Sequence, residues 1–393
     1  MVYSIREASV TVEEIAGKLV DVSVYDPLES DALYMGNLGK VVSLLTLSEY
    51  YQDAAFASRA VEVFKAVTGR VGDEQGVKFT TAMSNGLSGF GYVLMLMQKS
   101  GILESDQQAQ SLLDWTSEKV YEKAKAEIET GDLDPMYSAV GGLYFLSKSA
   151  YVKPSNAAYS IELVQLLESR VQENAHGKYI ANRRYQREGT YVINTGLAHG
   201  ICGMILVLVA TYQASPHAAA ARQIQLLLNY LKQLYKPYSG TEEDFLFPRS
   251  VTDEGVPLCQ PRKLNLNIGW CTSDLSIAYA FLKAGDTLKH QETTAYGNLL
   301  LSDFLKFDQT KLPVYEANFC HGFAGFSWLF TKCYELTNRL ECLEAAQYWL
   351  RRSLANPYSS DNNNLLDGSQ GVYNVILQST GMKRQQWDEV FFL

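Results

Sequence analysis

Apolar residues in this chain gather in short, dense runs, and a pair of small residues three positions apart opens each run. The pairs are Gly36 and Gly39, Gly86 and Gly89, Ala139 and Gly142, Gly200 and Gly203, Ser273 and Ser276, Gly322 and Gly325, and Gly368 and Gly371. The runs they open cover 41–47, 92–97, 143–146, 204–210, 277–282, 326–330 and 372–377. Between them lie stretches with apolar residues at i, i+3 and i+4, over 60–67, 112–128, 161–171, 218–234, 296–307 and 343–354. That spacing predicts amphipathic outer helices, whereas the dense runs predict inner helices buried on every side. One of each makes a helical hairpin, and recurrence at roughly 50 residues marks a repeat fold. A first outer helix is expected over 12–20, ahead of the first small pair. The small residues let neighbouring inner helices approach closely and leave helix N-termini open to a ligand.

Seven such hairpins closing on themselves predict an all-α fold, an α/α toroid (a double α-barrel) built as a single domain over 1–393. An open solenoid is the alternative that periodicity leaves standing. Two intervals are long. Residues 174–190 are polar and basic, with Arg183, Arg184 and Arg187, and 236–267 carry Pro237, Pro248, Pro257 and Pro261 with Gly240 and Gly255 around a strand-like Phe245-Leu246-Phe247. Both read as insertions or long loops over one face, with room for a small inserted domain.

Composition narrows the function classes. A formal net charge of -9 over 393 residues argues against nucleic acid as a partner, since phosphate binding needs a basic face. With 25 tyrosines, 16 phenylalanines and 5 tryptophans, an aromatic interior or groove is expected. The first residues lack a basic segment followed by an apolar one, the longest apolar run (201–210) is about half a membrane span, and six cysteines are few for this length. A cytoplasmic location with reduced thiols is the expectation.

Counting back from the start of each small pair turns scattered residues into a constellation. Cys320 lies two before its pair and Cys271 two before its own; His321 and His199 each lie one before. In a closed ring these loops converge on one end of the central cavity, and repeats four, five and six are neighbours there. Cys271, Cys320 and His321 then offer three ligands suited to zinc, with a fourth tetrahedral position open, the pattern of a catalytic rather than a structural site. Bound zinc would activate an incoming thiol, with His199 as acid or base, or would supply a hydroxide for hydrolysis. Against this stands the ordinary buried role of single cysteines, which is the expectation for Cys202, Cys259, Cys333 and Cys342. His176, His217 and His290 are expected at the surface.

The three motifs Gly196-Leu197-Ala198-His199-Gly200, Gly269-Trp270-Cys271 and Cys320-His321-Gly322, in this order within a seven-fold Gly-x-x-Gly pattern, resemble the lanthipeptide (lantibiotic) cyclases, the lanthionine synthetase C-like family. The resemblance spans nearly the whole chain. It implies an α/α toroid and a zinc-dependent cyclase that joins precursor-peptide cysteine thiols to dehydrated Ser and Thr residues by Michael addition, giving lanthionine and methyllanthionine rings. Carried over by motif, Cys271, Cys320 and His321 are the zinc ligands and His199 is the active-site histidine. The partners it implies are a ribosomal precursor peptide, a dehydratase and an exporter, in a membrane-associated biosynthetic complex. This chain departs from the family at Asn267, where an arginine is usual, and at Thr272-Ser273, where Tyr-Gly is common. The family's aspartate ahead of the third pair falls at Pro135 by spacing, which leaves the neighbouring Asp134 as the candidate for acid–base work or for orienting the histidine. Two rivals share these residues: another zinc thiol-alkylating transferase on the same fold, and a non-catalytic peptide-binding scaffold.

Overall fold

The structure, a computed structural model, describes residues 12–25, 28–103, 107–187, 189–240, 245–258, 268–355, 362–379 and 387–393. Among the described residues are fourteen α-helices in two concentric rings. The inner ring is α2 (Asn37–Tyr51), α4 (Leu87–Lys99), α6 (Ala139–Ser149), α8 (Ile201–Ala214), α10 (Asp274–Leu288), α12 (Phe323–Thr337) and α14 (Ser369–Ser379). The outer ring is α1 (Val12–Val20), α3 (Ala54–Thr68), α5 (Gln107–Thr130), α7 (Asn156–Leu167), α9 (Ala218–Leu234), α11 (Gln291–Phe304) and α13 (Leu340–Ala355). Each inner helix packs against the next, and α14 returns to α2, so the ring closes and the open solenoid is excluded. The seventh hairpin is assembled from both ends of the chain, with α1 lying against α14.

Sequence explains the two rings. The inner α8 is buried continuously from Ile201 to Thr211, as befits a helix between an outer layer and a filled centre. The outer α9 buries only a stripe, including Ala220, Ile224, Leu227, Leu231 and Leu234, and keeps Arg222 and Lys232 on its other side. Three hairpins turn in the same way. Gln52, Lys289 and Asn338 end α2, α10 and α12 at φ of 52°, 53° and 55°, and the outer helix starts two residues later. This left-handed cap stops the inner helix and reverses the chain in the shortest space.

The two long gaps form β-structure. Strands β1 (Val171–Asn174) and β2 (Gly177–Ile180) make an antiparallel hairpin, and β3 (Gln186–Arg187), β4 (Thr190–Asn194) and β5 (Ser250–Thr252) make a sheet of order β3-β4-β5. The second gap thus contributes a strand to the sheet of the first. Its strand is not the apolar Phe245-Leu246-Phe247. There the Leu246 and Phe247 amides donate to the Asp274 carboxylate (3.1 and 3.2 Å), so they are spent on the start of α10 rather than on a ladder. No described helix is long and apolar enough to cross a membrane.

The last residues fill the centre. Tyr34, Tyr92, Tyr144, Trp270 and Trp328, contributed by five different repeats, all hydrogen-bond to residues 388–391. A short 3-10 helix (Trp387–Phe391) therefore runs inside the ring.

Candidate metal centre

The inner helices start at one common end, and the loops before them are stitched into a rim. The residue two before each helix cap donates its N–H to the carbonyl at the same position of the next repeat. Ser84 N to Met136 O is 3.0 Å, Ala198 N to Cys271 O 3.0 Å, Cys271 N to Cys320 O 3.0 Å, Cys320 N to Leu366 O 2.9 Å and Leu366 N to Tyr34 O 3.1 Å. Between repeats three and four, side chains take over the link, as described below. A second regularity supports the rim. At Gly325 or Gly203, as at the second glycine of other repeats, a Cβ would collide with the carbonyl three residues before the cap, here Phe319 and Leu197. These glycines admit the loop's own backbone as well as the neighbouring repeat.

Both regularities correct the register of repeat three by one residue. Helix α6 is capped by Ser138, at φ −153° and ψ −151°, in the same extended geometry as Gly36 and Gly200 before α2 and α8. Gly141, not Gly142, meets the loop carbonyl, that of Pro135. The small pair is therefore Ser138 and Gly141, the position two before the cap is Met136, and the spacing that pointed to Pro135 falls on Asp134.

Cys271, Cys320 and His321 come together at this rim. Their two sulfurs and one imidazole nitrogen lie within 4.8 Å of one another, and all three residues are half-buried. Gly269 makes the approach of the two loops feasible, because a Cβ there would collide with the His321 Cα. Asn318 shapes the second loop: its Oδ1 accepts from the His321 amide (2.9 Å) and its Nδ2 donates to Glu316 (2.6 Å). Glu316 in turn lies 3.2 Å from His321 Nε2. Hydrogen bonding from Cys320, aided by His321 and the charge of Arg249, draws the Cys271 thiol well below its ordinary value. Its partnership with Cys271, together with burial, pushes Cys320 up by the same logic. His321 is raised by its hydrogen bond to Cys271 and by Glu316. Two thiols, one of them readily ionised, and an imidazole backed by a carboxylate are a donor set suited to zinc.

His199 sits one residue past the Ala198 link to Cys271. Its Nδ1 is 3.0 Å from Asp134 Oδ2, and Tyr137 stacks on its ring at 5.3 Å between centroids. These contacts join repeats three and four. The Asp134 side chain is fully buried: Oδ1 accepts from the Met136 and Tyr137 amides, both at 2.9 Å, and Oδ2 from the Tyr185 hydroxyl at 2.7 Å. Burial and the Asp134 charge push Tyr185 far above a normal phenol, so it stays a donor. Tyr137 is raised by burial, Asp134 and the Cys320 sulfur, and carries the Arg184 guanidinium over its face at 5.4 Å. His199 Nε2 is the nitrogen left for a substrate, and the side chain remains 32% exposed.

Sequence reasoning missed Tyr137, Tyr185, Glu316 and the role of Asn318. Tyr137 was within reach once α6 is registered on Ser138, since it then falls one before the cap like His199 and His321. Tyr185 belongs to the first insertion, where no repeat spacing applies. Cys202, Cys333 and Cys342 are buried free thiols away from the cluster. Cys259 and Asn267 lie outside the described residues. His290 is exposed, but His176 and His217 are half-buried. His176 bonds the Gly255 carbonyl (2.7 Å) and so ties the two insertions together, and His217 caps α9.

A family model described as lanthionine synthetase C-like protein matches residues 27–392. Among solved structures, nisin cyclase superposes with a TM-score of 0.74 at 17% identity, covering 97% of this chain and 96% of that one. A sugar epimerase from a ruminal bacterium follows with a TM-score of 0.49 at 9% identity, covering 76% of this chain and 89% of its own. No curated protein matches by sequence.

Proposed function

The chain belongs to the lanthionine synthetase C-like family, and from that premise we propose that it closes thioether rings in a dehydrated precursor peptide. The observation that carries the reading is the convergence of Cys271, Cys320 and His321 from two consecutive repeats, beside a histidine oriented by a buried carboxylate. Cys271 Sγ, Cys320 Sγ and a His321 nitrogen would hold zinc, with Nδ1 the ligand because Nε2 faces Glu316. Bound there, zinc would bring an incoming peptide thiol toward its thiolate at neutral pH.

The reaction adds a thiol across a dehydroalanine or dehydrobutyrine double bond. Sulfur bonds to the β-carbon, the double-bond electrons move toward the carbonyl as an enolate, and a proton is returned to the α-carbon; nothing is oxidised or lost. His199 is the residue placed to manage that proton. Asp134 holds Nδ1, so Nε2 accepts the thiol proton and delivers it to the α-carbon. The Asp134 carboxylate stabilises the imidazolium in between, and Tyr137 and Tyr185 fix the ring against rotation. The substrate requires a dehydratase acting earlier on Ser and Thr.

The experiment pairs metal content with thiol loss on a synthetic peptide carrying cysteine and dehydroalanine. Wild type should hold about one zinc per chain and consume the peptide thiol. Cys271→Ala should lose both, whereas His199→Asn should keep the zinc and lose at least about a hundredfold in rate. Purified protein without stoichiometric zinc, or a fully active His199→Asn, would defeat the assignment.

A further inference from the structure

The segment after the last repeat sits under the two cysteine loops. Phe391 stacks on Phe319 (4.3 Å between centroids, 28° between planes) and meets Trp270 edge-on at 5.2 Å. Phe319 immediately precedes Cys320, and Trp270 immediately precedes Cys271. The Trp270 indole N–H donates to the Phe391 carbonyl at 3.1 Å, and Tyr34, stacked on the same ring at 5.2 Å, donates its hydroxyl to Val390 O at 2.7 Å. One aromatic side chain thus touches the residue next to each thiol.

The segment is also anchored from the opposite mouth. Asp388 receives the Trp328 indole N–H (3.0 Å) and pairs with Lys332; Glu389 pairs with Lys148 (2.9 Å) and accepts from Tyr92 (2.9 Å). Phe392 is held at φ 64°, a conformation a bulky side chain adopts only where its surroundings impose it. Packing and charge both fix this segment in one pose.

We propose that Trp387–Leu393 is a positioning plug whose Phe391 sets the separation of Cys271 and Cys320. The proposal rests on the reading of Cys271, Cys320 and His321 as a ligand set, and extends it to a residue that touches no metal and no substrate. Residues that hold ligands in place matter to metal sites nearly as much as the ligands themselves.

The test compares wild type with Phe391→Ala and with Leu227→Ala, a buried α9 residue that controls for lost stability. Two readouts are taken in a Cys259→Ser background: zinc affinity by competition with a chromophoric chelator, and capture of a phenylarsine oxide by metal-free protein, which needs two adjacent thiols. Phe391→Ala should weaken both by about tenfold or more while keeping its helical content, and Leu227→Ala should leave both near wild type. Wild-type values in folded Phe391→Ala would overturn the proposal, as would equal losses in Leu227→Ala. If Phe391→Ala does not fold, Phe391→Leu is judged by the same readouts. Should wild type bind no zinc, the ligand reading fails, and arsenical capture alone decides whether the plug positions the thiols.

Discussion

At the scale of single residues, the site depends on groups whose hydrogen-bond partners fix their orientation. Asp134 illustrates this, since both oxygens are engaged and only one of them faces His199. In Asp134→Asn the amide oxygen can still accept the two backbone N–H groups, so the loop should survive, but His199 loses its charged partner. Cyclisation should fall about tenfold to a hundredfold with zinc content unchanged, measured by thiol loss and metal analysis on the same preparation. Glu127 shows a different effect. Burial, reinforced by the nearby Asp132 charge, raises its carboxyl from 4.5 to about 7, although the Thr81 hydroxyl donates to it. In the unfolded chain it ionises near 4.5, so between that pH and about 7 the folded protein retains a proton the unfolded chain has released. Stability must therefore fall as pH rises through this window. Glu127→Gln should remove that slope and gain on the order of 2 kcal/mol at pH 8 relative to wild type. Urea midpoints at pH 5 and pH 8 decide it; an equal difference between the two proteins at both values would refute the assignment.

At the scale of elements, the hairpin is the unit, and its turn carries strain that substitution can relieve. Lys289 ends α10 in the left-handed region at φ 53°, where a side chain is disfavoured, and its ammonium makes an exposed pair with Asp286. Lys289→Gly should stabilise the protein by about 0.5–1 kcal/mol, whereas Lys289→Val should destabilise it by a similar amount or more; thermal unfolding of the two variants gives the sign. The helices were legible in sequence because burial writes a period into it: apolar spacing marks 12–20, and the dense runs 41–47 and 204–210 lie inside α2 and α8. The turns were not, since Gln52, Lys289 and Asn338 carry no glycine signal. Nor was the register of repeat three, where Ser138, Ala139, Gly141 and Gly142 offer two equivalent small pairs and only cap geometry separates them. The pairing of Cys271 with Cys320 could be read because equivalent repeat positions are neighbours in a ring. The contacts of Tyr185 with Asp134 and of Glu316 with His321 could not, because they depend on how non-repeating loops fold back.

For the molecule as a whole, closure is the property that distinguishes this architecture from a stack of the same hairpins. The seam is where the chain ends meet: α1 packs on α14, and Tyr34 O receives the Leu365 and Leu366 amides at 3.0 and 3.1 Å. Leu19 is fully buried in α1, beside Ile15 and Ala16. In an open array the terminal helix would be an independent end, free to fray without consequence for the middle. In a closed ring its loss removes the outer layer from α14, whose loop supplies Leu366 O to Cys320 N and so helps to hold the thiol rim. Leu19→Ala should therefore cost about 3 kcal/mol and lower the urea midpoint of one cooperative transition, with the midpoint for zinc release moving in step. A first transition confined to a fraction of the helical signal, with zinc retained through it, would show instead that the seam opens by itself and that the rim does not depend on closure.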